Sequence, residues 1–446
     1  MPYIFTNGCK KIRLETICLA LAGLLCACGG GQGEREPSSI AAGYAEADIT
    51  PPIGYPLGGF GAPGGLRLAT GVHDPILTQV AVFENDTGQA FVIVTNDSAG
   101  YFYDFGDWGP GLADLRRSIA DALRGEVQIE AEHVLVAASH THSGPDLVGF
   151  WQEVHQGPPL QYLNQVIDQT TEAALEAASD LEPVELYWGH AELPGYSKRD
   201  GPCSDLVDNS VEVLEARGAG GSLVTLVNYA NHPTTLKEDN TELTADFVWG
   251  LRQAMQKDTG APAMFLQGYI AAVHHPADLP AGEGFEKAEN LGSALADAAL
   301  QAPRTAAESF TIEHAWTVVS CEIQGAYPLF AYHDLGLMKR YVFEEDDSFY
   351  VENMAVSWHR LGPAEFAVMP GEPTPEMGLS LKEKMSSPAR FVIGLGDDSI
   401  GYLLDAEAIA KDESGQLEGY ELEMGPGRPG GPAVLEAMDS LGWYAE

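Results

Sequence analysis

Two histidines flank a single threonine in LVAASHTHSGP, residues 135–145, where an apolar run gives way to a turn. Two positions apart on an extended chain, His140 and His142 leave from one face, roughly 7 Å apart along the strand. That arrangement suits a binding site better than a hydrophobic core. Neutral imidazoles together with a carboxylate are usual protein ligands of a catalytic zinc ion, which keeps a further position open. His140, His232 in VNYANHPTTL and Glu372 in VMPGEPT supply such a set from three distant segments. Singly, each has an ordinary alternative: a histidine at a strand end is commonly a hydrogen-bonded structural residue, and a glutamate after Pro-Gly is commonly a turn residue. Their joint occurrence is the stronger signal.

Rigid elements must stand behind these residues, and the hydrophobic pattern supplies candidates. Apolar, β-branched runs at 89–97, 133–139, 222–230, 263–269, 365–372 and 390–396 read as buried strands. Helical periodicity covers 111–125, where Leu112, Leu115, Ile119, Ala122 and Leu123 share a face ahead of Gly125. Similar patterns span 160–178, 244–256, 285–300 and 375–386. Strands alternating with helices predict an α/β fold with a mixed β-sheet core and flanking helices. Asp97, His140, His142, His232 and Glu372 each fall at or just past the C-terminal end of an apolar run, where open α/β sheets collect their ligands. One shared crevice is the expectation. No repeat recurs at a fixed period, so residues 41–446 read as one continuous domain.

The 446 residues carry a formal net charge of −41, which opposes binding to nucleic acid or to bare anionic lipid headgroups. Lys10, Lys11 and Arg13 precede ICLALAGLLCAC, an apolar stretch of secretion-signal length that is short for a transmembrane helix, with Glu15 as an irregularity. The LCAC at 25–28 resembles a bacterial lipobox. It implies removal of residues 1–27, a lipid anchor on Cys28 and a flexible tether over 28–40. Ordinary signal cleavage near the same place is the alternative; either way the mature protein is exported, membrane-anchored or else periplasmic or secreted. Of six cysteines, Cys9, Cys18 and Cys26 go with the signal, which leaves Cys203 and Cys321 in oxidising surroundings where they can pair if they are close. No feature sets an oligomeric state.

Ordered blocks carry the reading further: ADITPPIGYPLGGFG, GVHDPILTQVAVFE, VLVAASHTHSGPD, TLVNYANHPTTL followed by LTADFVWGL, MFLQG, VMPGEPTPEMG and DDSIGYLLDAEA. Through them the chain resembles the catalytic domain of the neutral, non-lysosomal ceramidase family over roughly residues 40–425. The resemblance implies a zinc amidase with one zinc ion, acting on the N-acyl bond of a ceramide-like lipid or another N-acyl small molecule. Matched residue by residue, His140, His232 and Glu372 correspond to the family's zinc ligands. Tyr402 in IGYLL corresponds to its tyrosine ligand, with Tyr420 a competing match downstream. His142 corresponds to the second histidine of the first motif, suited to hydrogen-bonding the reacting oxygen or moving a proton. Arg199 in YSKRDGP corresponds to an arginine of the substrate pocket.

Departures from the pattern are equally specific. Ceramidases carry a catalytic serine after the glutamine of MFLQG and then a Gly-Asp pair; this chain has Gly268, then Ala271 and Ala272. A serine-dependent step at that position is excluded, which leaves hydrolysis to water activated by zinc. His274 and His275 follow, and as neighbours on a strand they would face opposite sides and not readily share an ion. Asp97 reads either as a partner orienting a histidine or as a structural strand-end residue, Ser143 as a turn cap, and His73 and Asp74 as turn residues. The family's C-terminal immunoglobulin-like domain has no counterpart in these 446 residues. Two other functions stay open: a two-metal amidohydrolase barrel, which also opens on His-x-His, and a surface lipoprotein that kept the scaffold and lost catalysis.

Overall fold

After an opening strand, β1 (Ile40–Asp48), the chain makes the same passage three times: a β-hairpin, a helix, and a strand returning parallel to the hairpin's second strand. The first passage runs β2 (Leu77–Asn85), β3 (Ala90–Asn96), α1 (Leu112–Leu123), β4 (Val134–Ala138). Helix α2 (Leu160–Ser179) and β5 (Glu182–Glu192) lead to the second: β6 (Ser210–Gly218), β7 (Gly221–Tyr229), α3 (Phe247–Thr259), β8 (Ala263–Gln267). Helix α4 (Gly284–Gln301) and β9 (Ile312–Glu322) precede the third: β10 (Ser348–Leu361), β11 (Ala364–Val368), α5 (Pro375–Lys384), β12 (Ala389–Ile393). A last helix, α6 (Gly430–Ser440), follows. This computed structural model describes residues 37–61, 66–152, 160–199, 206–325, 340–346, 348–413 and 420–443. The residues expected to form a signal sequence, Cys28 and Cys203 lie outside them; residues Glu36–Glu446 form one unit.

Two sheets result. The larger has the order β8-β7-β6-β5-β1-β2-β3-β4, antiparallel through its middle with a parallel pair at each edge, and Thr305–Ala306 adds a short ninth strand beside β5. The smaller has the order β9-β10-β11-β12, with Val342–Glu345 alongside β10. Strand alternation packs one sheet on the other: Phe91, Ile93, Leu226, Met264, Phe366 and Phe391 meet in the core between them. The opposite faces are also covered. Val92 and Val94 turn toward α1 and α2, Val227 and Phe265 toward α3 and α4, and Val392 toward α5. Strands of the three parallel pairs are thus buried on both faces, which is why their sequences are unbroken apolar runs.

The mixed α/β architecture with flanking helices is the one the sequence predicts. All six predicted strands and all five predicted helices are present within a few residues; β1, β2, β5, β6, β9 and β10 are additional. Neither sheet closes among the described residues, which removes the barrel alternative. No described helix is long and apolar enough to cross a membrane.

Candidate metal centre

In each passage the two parallel strands end flush, with Asn96 opposite Ala138, Tyr229 opposite Gln267, and Val368 opposite Ile393. The three ends are then tied together. Gly394 N–H donates to the Gln267 carbonyl at 3.1 Å, Ala138 N–H to Leu395 at 3.1 Å, and Asp397 N–H to Val136 at 2.7 Å. Loops leaving these ends therefore enter one volume, although they come from two different sheets.

His140 leaves β4 with a φ of 68°, a left-handed conformation unusual for a side-chain-bearing residue. The loop after β3 holds it there: its N–H donates to the Ser98 carbonyl at 2.9 Å, and its ring Nδ1 lies 2.6 Å from the Ala99 carbonyl. His232, three residues past β7, has its Nδ1 2.7 Å from the Val273 carbonyl. A carbonyl only accepts, so both Nδ1 atoms carry the proton and a neutral ring presents a bare lone pair at Nε2. Both Nε2 atoms face one carboxylate oxygen, Glu372 Oε2, at 3.1 Å from His232 and 3.6 Å from His140. Three electron-rich atoms this close need a positive charge among them. Two imidazoles oriented by backbone carbonyls, with a carboxylate opposite, form a donor set that fits a divalent metal such as zinc. Burial disfavours the Glu372 carboxylate, yet His140 and His232 beside it hold its pKa below the usual range.

His142 joins them. Its Nε2 lies 3.2 Å from His140 Nε2, and the nitrogens of His140, His142 and His232 lie within 4.8 Å of one another, so distance alone admits His142 as a third nitrogen donor. It differs in its support: among the described residues no group hydrogen-bonds its Nδ1. Its ring is instead held by shape. Gly59, at a φ of 97°, packs so closely on it that no Cβ would fit, Phe60 meets it edge-on at 4.6 Å, and Arg67 binds its carbonyl. Burial, then the neighbouring His140 and His232, lower its pKa well below the ordinary histidine value and keep it a neutral base.

Tyr402 is in register with Glu372 on a two-residue parallel ladder, and burial followed by the Glu372 charge pushes its phenol upward. Tyr402 and Tyr420 both line the pocket over the centre, their rings 5.8 Å apart. His140, His142 and Glu372 form the pocket's polar side; Val148, Phe150, Trp151, Ile400 and Met424 form an apolar wall.

Two solved structures share this architecture. A crystal structure of neutral ceramidase from Pseudomonas aeruginosa superposes with a TM-score of 0.68 at 17% identity, over 92% of this chain and 74% of that one. A ceramidase complexed with C2 gives the same TM-score and identity over 91% of this chain and 74% of that chain. The chain has the neutral ceramidase fold. No family model and no curated protein matches the sequence.

Within the ceramidase-like fold, the remaining singled-out residues are dispersed. Arg199 is not among the described residues lining the pocket; it is buried in an ion pair with Glu376, 2.6 Å away on α5. Asp97 makes a two-pronged pair with Arg252 at 2.6 and 3.0 Å and accepts the Leu77 N–H, so it acts as a structural strand-end residue. His274 stacks on His232 with centroids 4.4 Å apart. The Ser143 hydroxyl accepts from Asn240 and fixes its turn. His73 and Asp74 pair with each other, and Asp74 anchors Thr244 and Ala245. Gly268 sits in a close contact: a Cβ would lie 2.9 Å from Ala230 Cα, so a side chain there would require the backbone to shift. Cys321 is buried and unpaired among the described residues. Sequence reasoning passed over Gly59 and Phe60 as site residues, although GGFG stood in one of its blocks; a glycine beside an aromatic gives no sign that it cradles an imidazole eighty residues away.

Proposed function

We propose that this protein is a zinc-dependent hydrolase that cleaves the N-acyl amide bond of a ceramide-like lipid. The observation that carries the reading is the pair of imidazoles, His140 and His232, each with Nδ1 committed to a backbone carbonyl and Nε2 turned toward Glu372 Oε2. His140, His232 and Glu372 would hold the zinc ion, with Tyr402 alongside. Zinc bound there would polarise the acyl carbonyl and bring the pKa of water toward neutrality.

The chain's own residues supply the rest. His142 is free of the carbonyl lock that marks the two ligand histidines, is neutral, and opens onto the pocket. It takes a proton from the attacking water and returns one to the departing amine, the work of a general acid–base group. The Val148, Phe150, Trp151 and Met424 wall receives the acyl chain and excludes water from the carbonyl. The lipid class rests on the two similar structures, one a neutral ceramidase and the other a ceramidase complexed with C2. Gly268 leaves no serine nucleophile beside the glutamine, so the reaction proceeds without an acyl-enzyme at that position.

Zinc content and release of fatty acid from N-acyl amides, with esters as controls, test the proposal on purified protein. His140→Ala and His232→Ala are expected to lose zinc and activity together. His142→Ala is expected to keep zinc and lose turnover by ~10²–10⁴-fold. Full zinc in His140→Ala, or zinc-loaded wild type that cleaves no N-acyl bond, refutes it.

A further inference from the structure

A line of polar side chains crosses the interior between the two sheets, away from the metal centre. It starts at the Ala90 carbonyl, 3.0 Å from His314 Nε2. His314 Nδ1 lies 2.8 Å from Nδ1 of His359, its cross-strand partner on β10. His359 Nε2 is 3.0 Å from Ser357 Oγ, and Ser357 Oγ is 2.9 Å from Asp397 Oδ2. His359, Ser357 and Asp397 are fully buried. At the outer end His314 stacks on His133, ring centroids 4.2 Å apart, and both line a cleft open to solvent.

Counting protons along this line gives a definite result. Four links need four protons, since each must lie between one donor and one acceptor. The Ala90 carbonyl can only accept, so His314 carries its proton on Nε2 and, when neutral, accepts at Nδ1. His359 must then donate from Nδ1 and accept at Nε2, and the Ser357 hydroxyl donates to it. The hydroxyl has no second proton for Asp397. Two neutral imidazoles, a hydroxyl and a carboxylate thus hold one proton too few, and two bare oxygens would face each other at 2.9 Å.

We propose that the chain retains the fourth proton on Asp397, which donates to Ser357 as a neutral carboxylic acid and so positions the loop that walls the metal centre. Asp397 ties that loop to β4: its Oδ1 accepts the Val136 N–H at 3.0 Å and its own N–H donates back to Val136 at 2.7 Å. Ser399, Ile400 and Tyr402, just beyond, line the pocket. The groups facing the chain pull both ways: burial and Asp398 disfavour a charge on Asp397, and Arg116 favours one. Arg116 Nη1 stands 3.6 Å from Asp397 Oδ2 with no hydrogen bond between them, its guanidinium near the Tyr103 and Trp316 rings at 5.9 and 5.4 Å. Asp398 is matched by Arg340, at 2.7 Å on each oxygen. Burial pushes His314 down to about 3, lowers His359 and raises Asp397, directions that favour the extra proton on the carboxyl over either imidazole. The consequence for catalysis rests on the function proposed above; the protonation itself does not.

Two measurements test it. Nitrogen-15 NMR of histidine in the wild-type protein is expected to show His314 as the Nε2–H tautomer and His359 as the Nδ1–H tautomer, both neutral near pH 7. An Nε2–H tautomer at His359, or an imidazolium at either His314 or His359, overturns the proposal. The second uses Asp397→Asn, whose amide supplies the donor to Ser357 and the acceptor for Val136 without titrating. A carboxyl whose pKa is raised by folding loses stability as pH rises above its unfolded value, about 3.9, and through its folded value. Wild type is therefore expected to weaken relative to Asp397→Asn by about tenfold in folding equilibrium per pH unit over that window. A flat difference, or one of opposite sign as an ionised carboxylate paired with Arg116 would give, overturns it. In the hydrolysis assay an alkaline decline in kcat is expected in wild type and not in the variant; an equal decline in both overturns the link to the site. Correct tautomers in a protein that hydrolyses nothing would refute the function and leave the chain standing.

Discussion

Replacing Gly268 by serine would restore the residue type that ceramidases carry after the glutamine, and the fold predicts that it fails. A Cβ at this position would lie 2.9 Å from both Ala230 Cα and Cβ and 3.0 Å from Ala230 N, where ordinary contact begins near 3.4 Å. The obstacle is backbone, so the ends of β7 and β8 must part by about half an ångström. Overpacking of this kind costs ~1–3 kcal/mol, and a buried hydroxyl without an acceptor adds ~1–3 kcal/mol. A total of ~2–6 kcal/mol lowers the melting midpoint of a chain this size by roughly 2–6 °C, from an unfolding entropy of about 2 cal/mol/K per residue. Ala230 stands two residues before His232, and half an ångström is the tolerance within which a metal site keeps its geometry. Gly268→Ser is therefore expected to melt lower and to bind less zinc, with activity reduced. Differential scanning fluorimetry, zinc analysis and the N-acyl hydrolysis assay read the three quantities. An unchanged midpoint with full zinc and faster turnover would refute the packing argument and revive a serine nucleophile.

Other substitutions probe the supports of the site. Asp97→Asn leaves the buried Arg252 guanidinium without its carboxylate and is expected to cost ~3–5 kcal/mol, seen as a midpoint about 5 °C lower; slower turnover at an unchanged midpoint would mean that Asp97 orients a histidine instead. Asp246, the cap of α3, is buried, and burial raises its pKa to about 6 despite hydrogen bonds from Thr235 and Phe247. A raised carboxyl pKa makes folding less favourable as pH rises from about 4 to about 6, by roughly 3 kcal/mol in all. Urea unfolding of wild type and Asp246→Asn between pH 4 and pH 8 should show that difference develop and then level off; a difference of the opposite sign counts against the burial argument.

The six strands of the three parallel pairs were legible in the sequence because both of their faces are covered, so each reads as a continuous apolar run. Strands such as β5 and β9 escaped notice because one face is partly solvent-exposed and their apolar residues alternate with Glu185, His190, Glu313 and Thr317. The convergence of His140, His232 and Glu372 on one volume was foreshadowed for a related reason: each stands just past an apolar run, where loops leave the parallel strands. What the sequence alone determined was the set of elements and the chemical types at their ends. Tertiary structure decided which ends share a volume, that Arg199 pairs with Glu376, and that Asp97 serves Arg252. It also decided why residue 268 is glycine. These outcomes depend on distances between segments more than a hundred residues apart in most cases, set by two sheets packing face to face, and local periodicity carries no record of such distances.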